Sequence, residues 1–239
     1  MEGPGPGASG KMPAVNLLAL ETSTRRLSVA LWRDGEVREI AEDHPNGGSE
    51  RLLPWVKELL AQAGLTLRQL DAIAFGAGPG GFTGLRLSCG IAQGLAFGLD
   101  RPVLAVGSLE ALALASGEEW VFACLDARMN EVYCAAYRVR DGFPEEVHAP
   151  IVVPPSLVVA PKDAGWVGCG DGFASYGPLL PVFGQVRDDL LPTAAAVARL
   201  AAPRILVGGG VGAAEAAPLY VRDKVALTTA ERLARGGVR

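Results

Sequence analysis

The sequence predicts an α/β protein built as two related lobes. Two observations lead there. Short, almost wholly apolar runs end in polar turns, as buried strands do, and they alternate with segments whose apolar residues recur at helical spacing. The order of hairpin strands followed by alternating strands and helices then occurs twice along the chain.

The first half sets the pattern. Ala14–Leu20 (AVNLLAL) is an apolar run fit for a central strand, ended by Glu21-Thr22-Ser23-Thr24. Leu27–Arg33 and Glu36–Glu42 follow, joined by Asp34-Gly35, a dipeptide suited to the two left-handed positions of a tight hairpin. Ser49 is placed to cap a helix running to about Ala63 and stopped by Gly64. Leu52, Val56, Leu59, Leu60 and Ala63 share one face of it, Trp55 lies at the edge of that face, and Pro54 should kink its start. Thr66 and Gln69 form a capping box for a single turn, and Ala72–Phe75 is a second buried strand.

The glycine-rich stretch Gly76-Ala77-Gly78-Pro79-Gly80-Gly81-Phe82-Thr83-Gly84 leads from that strand into a helix over Thr83–Leu99. Gly90, Gly94 and Gly98 recur at every fourth position, with Leu87, Ile91 and Leu95 beside them. Each glycine in a helix interior costs about 1 kcal/mol relative to alanine. A stripe of three suggests that another backbone packs closely there. The helix is apolar on most sides, which calls for burial on more than one side. Val103–Val106 is the last strand of the half, and Ser108 is placed to cap a helix over Leu109–Ala115.

The second half offers a hairpin, Val121–Leu125 and Glu131–Val139, around Asp126-Ala127-Arg128-Met129-Asn130. Ile151–Val153 and Trp166–Cys169 read as strands and Thr193–Ala202 as a helix. The repeat divides the chain into lobes 14–104 and 105–225, with a tail at 1–13 rich in Gly and Pro and a second tail at 226–239 that carries Arg232, Arg235 and Arg239.

Composition narrows the function. The 239 residues are 49% hydrophobic and 20% charged, with a formal net charge of −4 and no dense Lys/Arg patch, a poor basis for holding polyphosphate unaided. The start lacks the apolar core of a signal peptide, and no apolar run is long enough to span a membrane, which points to the cytoplasm. Cys89, Cys124, Cys134 and Cys169 form no Cys-x-x-Cys pair and stand near no histidine at zinc-ligand spacing, so they read as buried apolar residues in a reducing compartment.

Chemical motifs are sparse. The glycine-rich loop could cradle phosphate at a helix N-terminus, but it lacks the spacing of a P-loop, and a tight turn for close packing is the better reading. Gly208-Gly209-Gly210-Val211-Gly212 reads as a mobile loop. His44 and His148 are the only histidines, and each reads as solvent-exposed. Glu21 and Asp126 end the first strand of each half, so two carboxylates could face each other as a metal or acid–base pair, or serve only turn formation; the two readings weigh equally here. Ser23 and Ser88 have no histidine neighbour in sequence.

LLALETSTRRLSVAL, SERLLPWVKELL, AIAFGAGPGGFTGLRLSCGIAQGLAFGL, CLDARMNEVYCAAY and PLYVRDKVAL together resemble the bacterial TsaB proteins, from Val15 to about Leu227. GAGPGGFTGLRLS and DARMNEVY are the specific segments. The resemblance implies a paralogue of TsaD, the subunit that carries threonylcarbamoyl transfer to tRNA, and the two-lobed fold of actin, sugar kinases and heat-shock ATPases. It also implies a non-catalytic subunit. Where TsaD-type chains have His-Met-Glu-Gly-His, with two metal-ligating histidines, this chain has Ser108-Leu109-Glu110-Ala111-Leu112. Where they have Ser-Gly-Gly-His-Thr approaching phosphate, it has Asp126-Ala127-Arg128-Met129-Asn130. The alternative is a metal- or nucleotide-dependent enzyme of the same superfamily, a peptidase or a phosphotransferase.

By the same resemblance, the partners are TsaD as a heterodimer, TsaE through the complex, a second copy when alone, and tRNA only via the complex. No cofactor is expected on this chain, with ATP and a metal ion on the partner subunits. The first-lobe helices would make the contact, through Leu52, Trp55, Val56, Leu59, Leu87, Ile91, Leu95, Gly90, Gly94 and Gly98.

Overall fold

The computed structural model describes residues 15–44, 48–162 and 165–221. The expected tails, 1–13 and 226–239, lie outside the described residues. β1 (Asn16–Glu21), β2 (Arg26–Arg33) and β3 (Glu36–Asp43) lead into α1 (Ser49–Ala63), β4 (Ala72–Gly78), α2 (Phe82–Leu99), β5 (Val103–Gly107) and α3 (Ser108–Ser116). β6 (Trp120–Asp126), β7 (Val132–Arg140), β8 (Phe143–Val153), β9 (Val167–Cys169), α4 (Asp171–Tyr176), β10 (Gln185–Arg187) and α5 (Ala194–Leu206) follow.

The strands form two five-stranded sheets, ordered β3-β2-β1-β4-β5 and β10-β9-β6-β7-β8. Both have one topology. The leading strand is central, an antiparallel hairpin partner and an edge strand lie on one side, and parallel strands lie on the other. The two lobes of related build that the sequence predicts are thus present. The chain builds it from local rules. β1 is buried after its first residue and runs through the middle of its sheet. β3, at the edge, is Glu-Val-Arg-Glu-Ile-Ala-Glu-Asp and mostly exposed, a charged rim that discourages further strand pairing. Asp34 and Gly35 both take positive φ in the β2–β3 turn, as the dipeptide predicts.

α1 and α2 cover one face of the first sheet. The other face is covered by α5, whose alanine-rich sequence lets it approach β1 and β2 closely. α5 therefore packs on the first lobe although it follows the second in sequence, and residues 211–219 also return to the first sheet. Val211 exchanges backbone hydrogen bonds of 2.9 Å with Val103, and Leu219 N–H donates to the Ala77 carbonyl at 2.7 Å. The sequence reading puts these segments within 105–225, yet they pack on the first sheet; in the glycine cluster at 208–212, Gly208 and Gly209 close the end of α5 by donating to the Ile205 and Arg204 carbonyls, and Val211 makes the bridge to Val103. α3 joins the lobes. Ala111 packs with α5, while Leu109, Leu112 and Ala113 enter the core of the second sheet. The opposite face of the second sheet carries the ring cluster Phe122, Phe173 and Phe183.

Several helix starts differ from expectation. Gly48 and Gly107, not Ser49 and Ser108, occupy the cap positions of α1 and α3, and neither cap uses a side chain. Pro54 sits inside an unbroken α1. Thr193 does cap α5, accepting from Ala196 N–H at 3.2 Å, and the Thr66–Gln69 capping box is present. Ile151–Val153 is the end of a much longer strand, β8, which polar and proline residues conceal.

Candidate functional site

Among the described residues, the cleft between the lobes and the outer face of α2 are the candidate places for function. The cleft has a volume of about 790 Å³. Its first-lobe wall is the turn after β1 and the glycine-rich loop before α2; its second-lobe wall is the β6–β7 turn and the start of α4. The glycines of that loop serve close packing. A Cβ at Gly80 would overlap Ser23, and one at Gly84 would overlap the Thr22 carbonyl.

Glu21 does not face the cleft as an open carboxylate. It is fully buried, with Oε1 accepting from Ser23 N–H at 2.6 Å and Oε2 from the Ser108 hydroxyl at 3.0 Å. Ser108 in turn accepts from Gly78 N–H at 3.2 Å. Gly76 leaves room for the carboxylate, because a Cβ there would overlap it. Burial raises the Glu21 carboxyl above its usual range, and the hydrogen bonds only partly oppose this. The group ties β1, β4 and α3 together.

Asp126 is likewise spent on structure. Its Oδ1 accepts from Arg128 N–H at 2.7 Å and from the Tyr176 hydroxyl at 3.3 Å, and its Oδ2 lies 3.4 Å from Arg128 Nη1. The Glu21–Asp126 pairing is thus resolved toward turn formation. Arg128, Met129 and Asn130 all take left-handed φ, 59°, 56° and 59°, in the turn that follows. Ser88 donates into its own helix and toward the Gly76 carbonyl. His44 is half-buried beside Glu42 at 3.3 Å rather than free in solvent, while His148 is exposed. Among the described residues, no three His, Cys, Asp or Glu side chains converge as a metal-binding group. The four cysteines are buried, and burial pushes the Cys134 and Cys169 thiols up to about 11.

The outer face of α2 is different, because nothing in the described chain covers it. Gly90, Gly94 and Gly98 are exposed, and a Cβ at any of them would meet no atom within 4 Å. The close backbone that the stripe predicts is therefore absent among the described residues. Phe97, on the same face, is 83% exposed. One flank of the face is the returning segment, where Gln93 Nε2 donates to the Ala216 carbonyl at 2.9 Å and Arg86 lies over the Phe82 ring and bonds Tyr220. The other flank is Ile91 and Leu95, half-buried against the first-lobe core, as is Leu87.

The expected contact residues on α1 are placed otherwise. Leu52, Trp55, Val56 and Leu59 are buried in the core under the first sheet, because their stripe is the one that covers β2. Leu53, which the sequence reading passed over, points outward and is 47% exposed. Phe97 was missed as well; a lone aromatic on the far side of the stripe from the sheet is the signal that could have found it.

A TsaB of Haemophilus influenzae, named as a tRNA threonylcarbamoyladenosine biosynthesis protein, is 40% identical over 90% of this chain and 96% of its own. The chain belongs to the TsaB family. The TsaB of Escherichia coli K12, with the same protein name, is 36% identical over 89% of this chain and 96% of its own. The solved structure "YeaZ from Pseudomonas aeruginosa" superposes with a TM-score of 0.82 and 43% identity, over 86% of this chain and 99% of that one. The TsaD family, described as tRNA N6-adenosine threonylcarbamoyltransferase, matches residues 39–155.

Two of the α3 positions at which the sequence is expected to depart from TsaD-type chains are enclosed. Ser108 is buried against Glu21, and Leu112 is a fully buried member of the second-lobe core. Neither position presents a ligand atom to the cleft. No helix of the described residues is long and apolar enough to cross a membrane.

Proposed function

We propose that this TsaB-family chain serves tRNA threonylcarbamoyladenosine formation as a non-catalytic subunit, docking TsaD through the outer face of α2. The observation that carries this reading is the exposed glycine stripe beside Phe97. A helix does not gain from three glycines on a solvent face, and Phe97 adds a large exposed apolar surface beside them. The TsaD match supports the choice of partner. It spans α1 and α2, so TsaD carries the corresponding segment and can present a like helix pair to this one. Small residues let two such helices approach backbone to backbone.

In this reading, threonylcarbamoyl transfer belongs to the partner. TsaE and tRNA are reached through the complex, ATP and a metal ion sit on the partner subunits, and a second copy of the chain can take the same face when TsaD is absent. The engaged carboxylates of Glu21 and Asp126 and the apolar burial of Leu112 support a non-catalytic role. Sedimentation of the chain mixed with TsaD at micromolar concentration tests the docking. A one-to-one species that Gly94→Leu abolishes, with the variant still folded, is the expected result. Complex formation unaffected by Gly94→Leu would remove the α2 face from the account.

A further inference from the structure

A chain of polar groups runs across the mouth of the cleft from the edge of the first lobe to the turn of the second. Asp43, at the end of β3, holds Arg25 Nε at 3.5 Å. Arg25, in the β1–β2 turn, extends Nη1 to Asp171 Oδ2 at 3.3 Å. Asp171 is the first residue of α4, and its Oδ1 accepts from the Asp126 N–H, at the end of β6, at 3.1 Å. Asp126 then holds Arg128 by both backbone and side chain.

The placement of Asp171 is closely determined. Gly170 and Gly172 on either side press α4 onto β6, since a Cβ at the first would overlap the Cys124 carbonyl and one at the second would crowd the Cys124 sulfur. The carboxylate is therefore fixed to the second lobe. Arg25 belongs to the first lobe through the β1–β2 turn, and Asp43, held mainly by Arg26 at 2.7 Å, lies beside it. The lobes also meet at the α3–α5 contact, where Ala111 packs with α5 and Arg204 pairs with Glu110. The segment after α5 touches both lobes as well, through Leu219 on Ala77 and Val221 against the second-lobe core.

We infer that the Arg25–Asp171 pair is a latch that holds the two lobes at their present angle, with the α3–α5 contact as the hinge. A single ion pair with a partly exposed partner is only weakly stabilising. Such a pair contributes little to folding, yet it is enough to bias two lobe angles that differ by a similar amount. The latch is a property of the cleft and is independent of the α2 docking face.

The test uses the full chain with spin labels at Glu50→Cys on α1 and Ser175→Cys on α4, both exposed positions without a described side-chain partner. The native cysteines are buried and stay unlabelled. Double electron–electron resonance then reads the interlobe distance. Asp171→Asn keeps an acceptor for Asp126 N–H while removing the charge, and Arg25→Gln removes the other half. Each variant should give a longer and broader distance distribution than the parent. The double variant should match the singles rather than add to them, and 1 M salt should move the parent toward the variants. Distributions unchanged in both single variants, with thermal melts showing both folded, would overturn the latch. Should Asp171→Asn fail to fold, Arg25→Gln alone decides.

Discussion

Replacing Gly90 and Gly94 together by alanine should move two properties of the chain in opposite directions. Both residues lie in the interior of α2, and a methyl group at either meets no atom within 4 Å. The folded monomer therefore gains helix propensity at no steric cost. At about 1 kcal/mol per site, the double variant should be more stable by about 2 kcal/mol, or roughly 4–8 °C in Tm for a domain of this size. The proposed docking should weaken, because two methyl groups would enter a contact that depends on close approach. Overpacking of that kind costs about 1–3 kcal/mol, which is roughly a 5- to 150-fold loss of affinity.

The assay is a thermal melt of the chain alone paired with a calorimetric titration into TsaD. The melt must be run at several concentrations, since self-association through the same face would make Tm depend on dilution. A raised Tm with weakened binding is expected. A lowered Tm would mean that α2 already packs against something in the monomer, and unchanged affinity would mean that the stripe is not at the interface. Either result refutes the reasoning.

Three further outcomes follow from the geometry. Leu52→Ala should lose about 2–5 kcal/mol in urea unfolding, as a cavity in the first-lobe core, whereas the outward-facing Leu53→Ala should stay within about 0.5 kcal/mol of the parent. Gly76→Ala should cost about 1–3 kcal/mol by forcing the Glu21 carboxylate aside, again read from urea midpoints. Glu21 itself should leave a signature in pH. Its folded carboxyl is raised by burial, so its contribution to stability is fully present below the unfolded value and is lost as pH rises through the folded one. Relative to Glu21→Gln, the parent should therefore gain stability on going from pH 7.5 down toward pH 4.5; a constant difference across that range would contradict the burial argument.

Much of this fold can be read from the residues. The run Leu17-Leu18-Ala19-Leu20 admits no other place than the middle of a sheet, and Asp34-Gly35 and Gly64 mark a turn and a helix end by backbone conformation alone. What escaped is long-range. Nothing local says that the Ala-rich α5 crosses back to the first sheet, since its partners on β1 and β2 are more than 160 residues away. β8 hid because an exposed edge strand with Pro144 and Pro150 shows no alternation of burial. The proposed docking face was half legible. The glycine stripe is visible at once from its spacing, but α1 offered a stronger apolar face than α2, and a stripe that covers its own sheet looks in sequence like one that awaits a partner. Only burial separates Leu52 and Trp55 from Leu53 and Phe97. Glu21 similarly shows its end-of-strand position but not that Ser108 and Gly76 enclose it.

The measurement that tests the central claim most directly is reconstituted threonylcarbamoyladenosine formation on tRNA, with TsaD and the remaining subunits held fixed while this chain or its Gly94→Leu variant is titrated in. The account predicts that product requires the chain, and that the variant needs a higher concentration by the same factor that its affinity for TsaD falls. Product formed equally well without the chain, or a variant that binds TsaD normally yet fails to support the reaction, would contradict it.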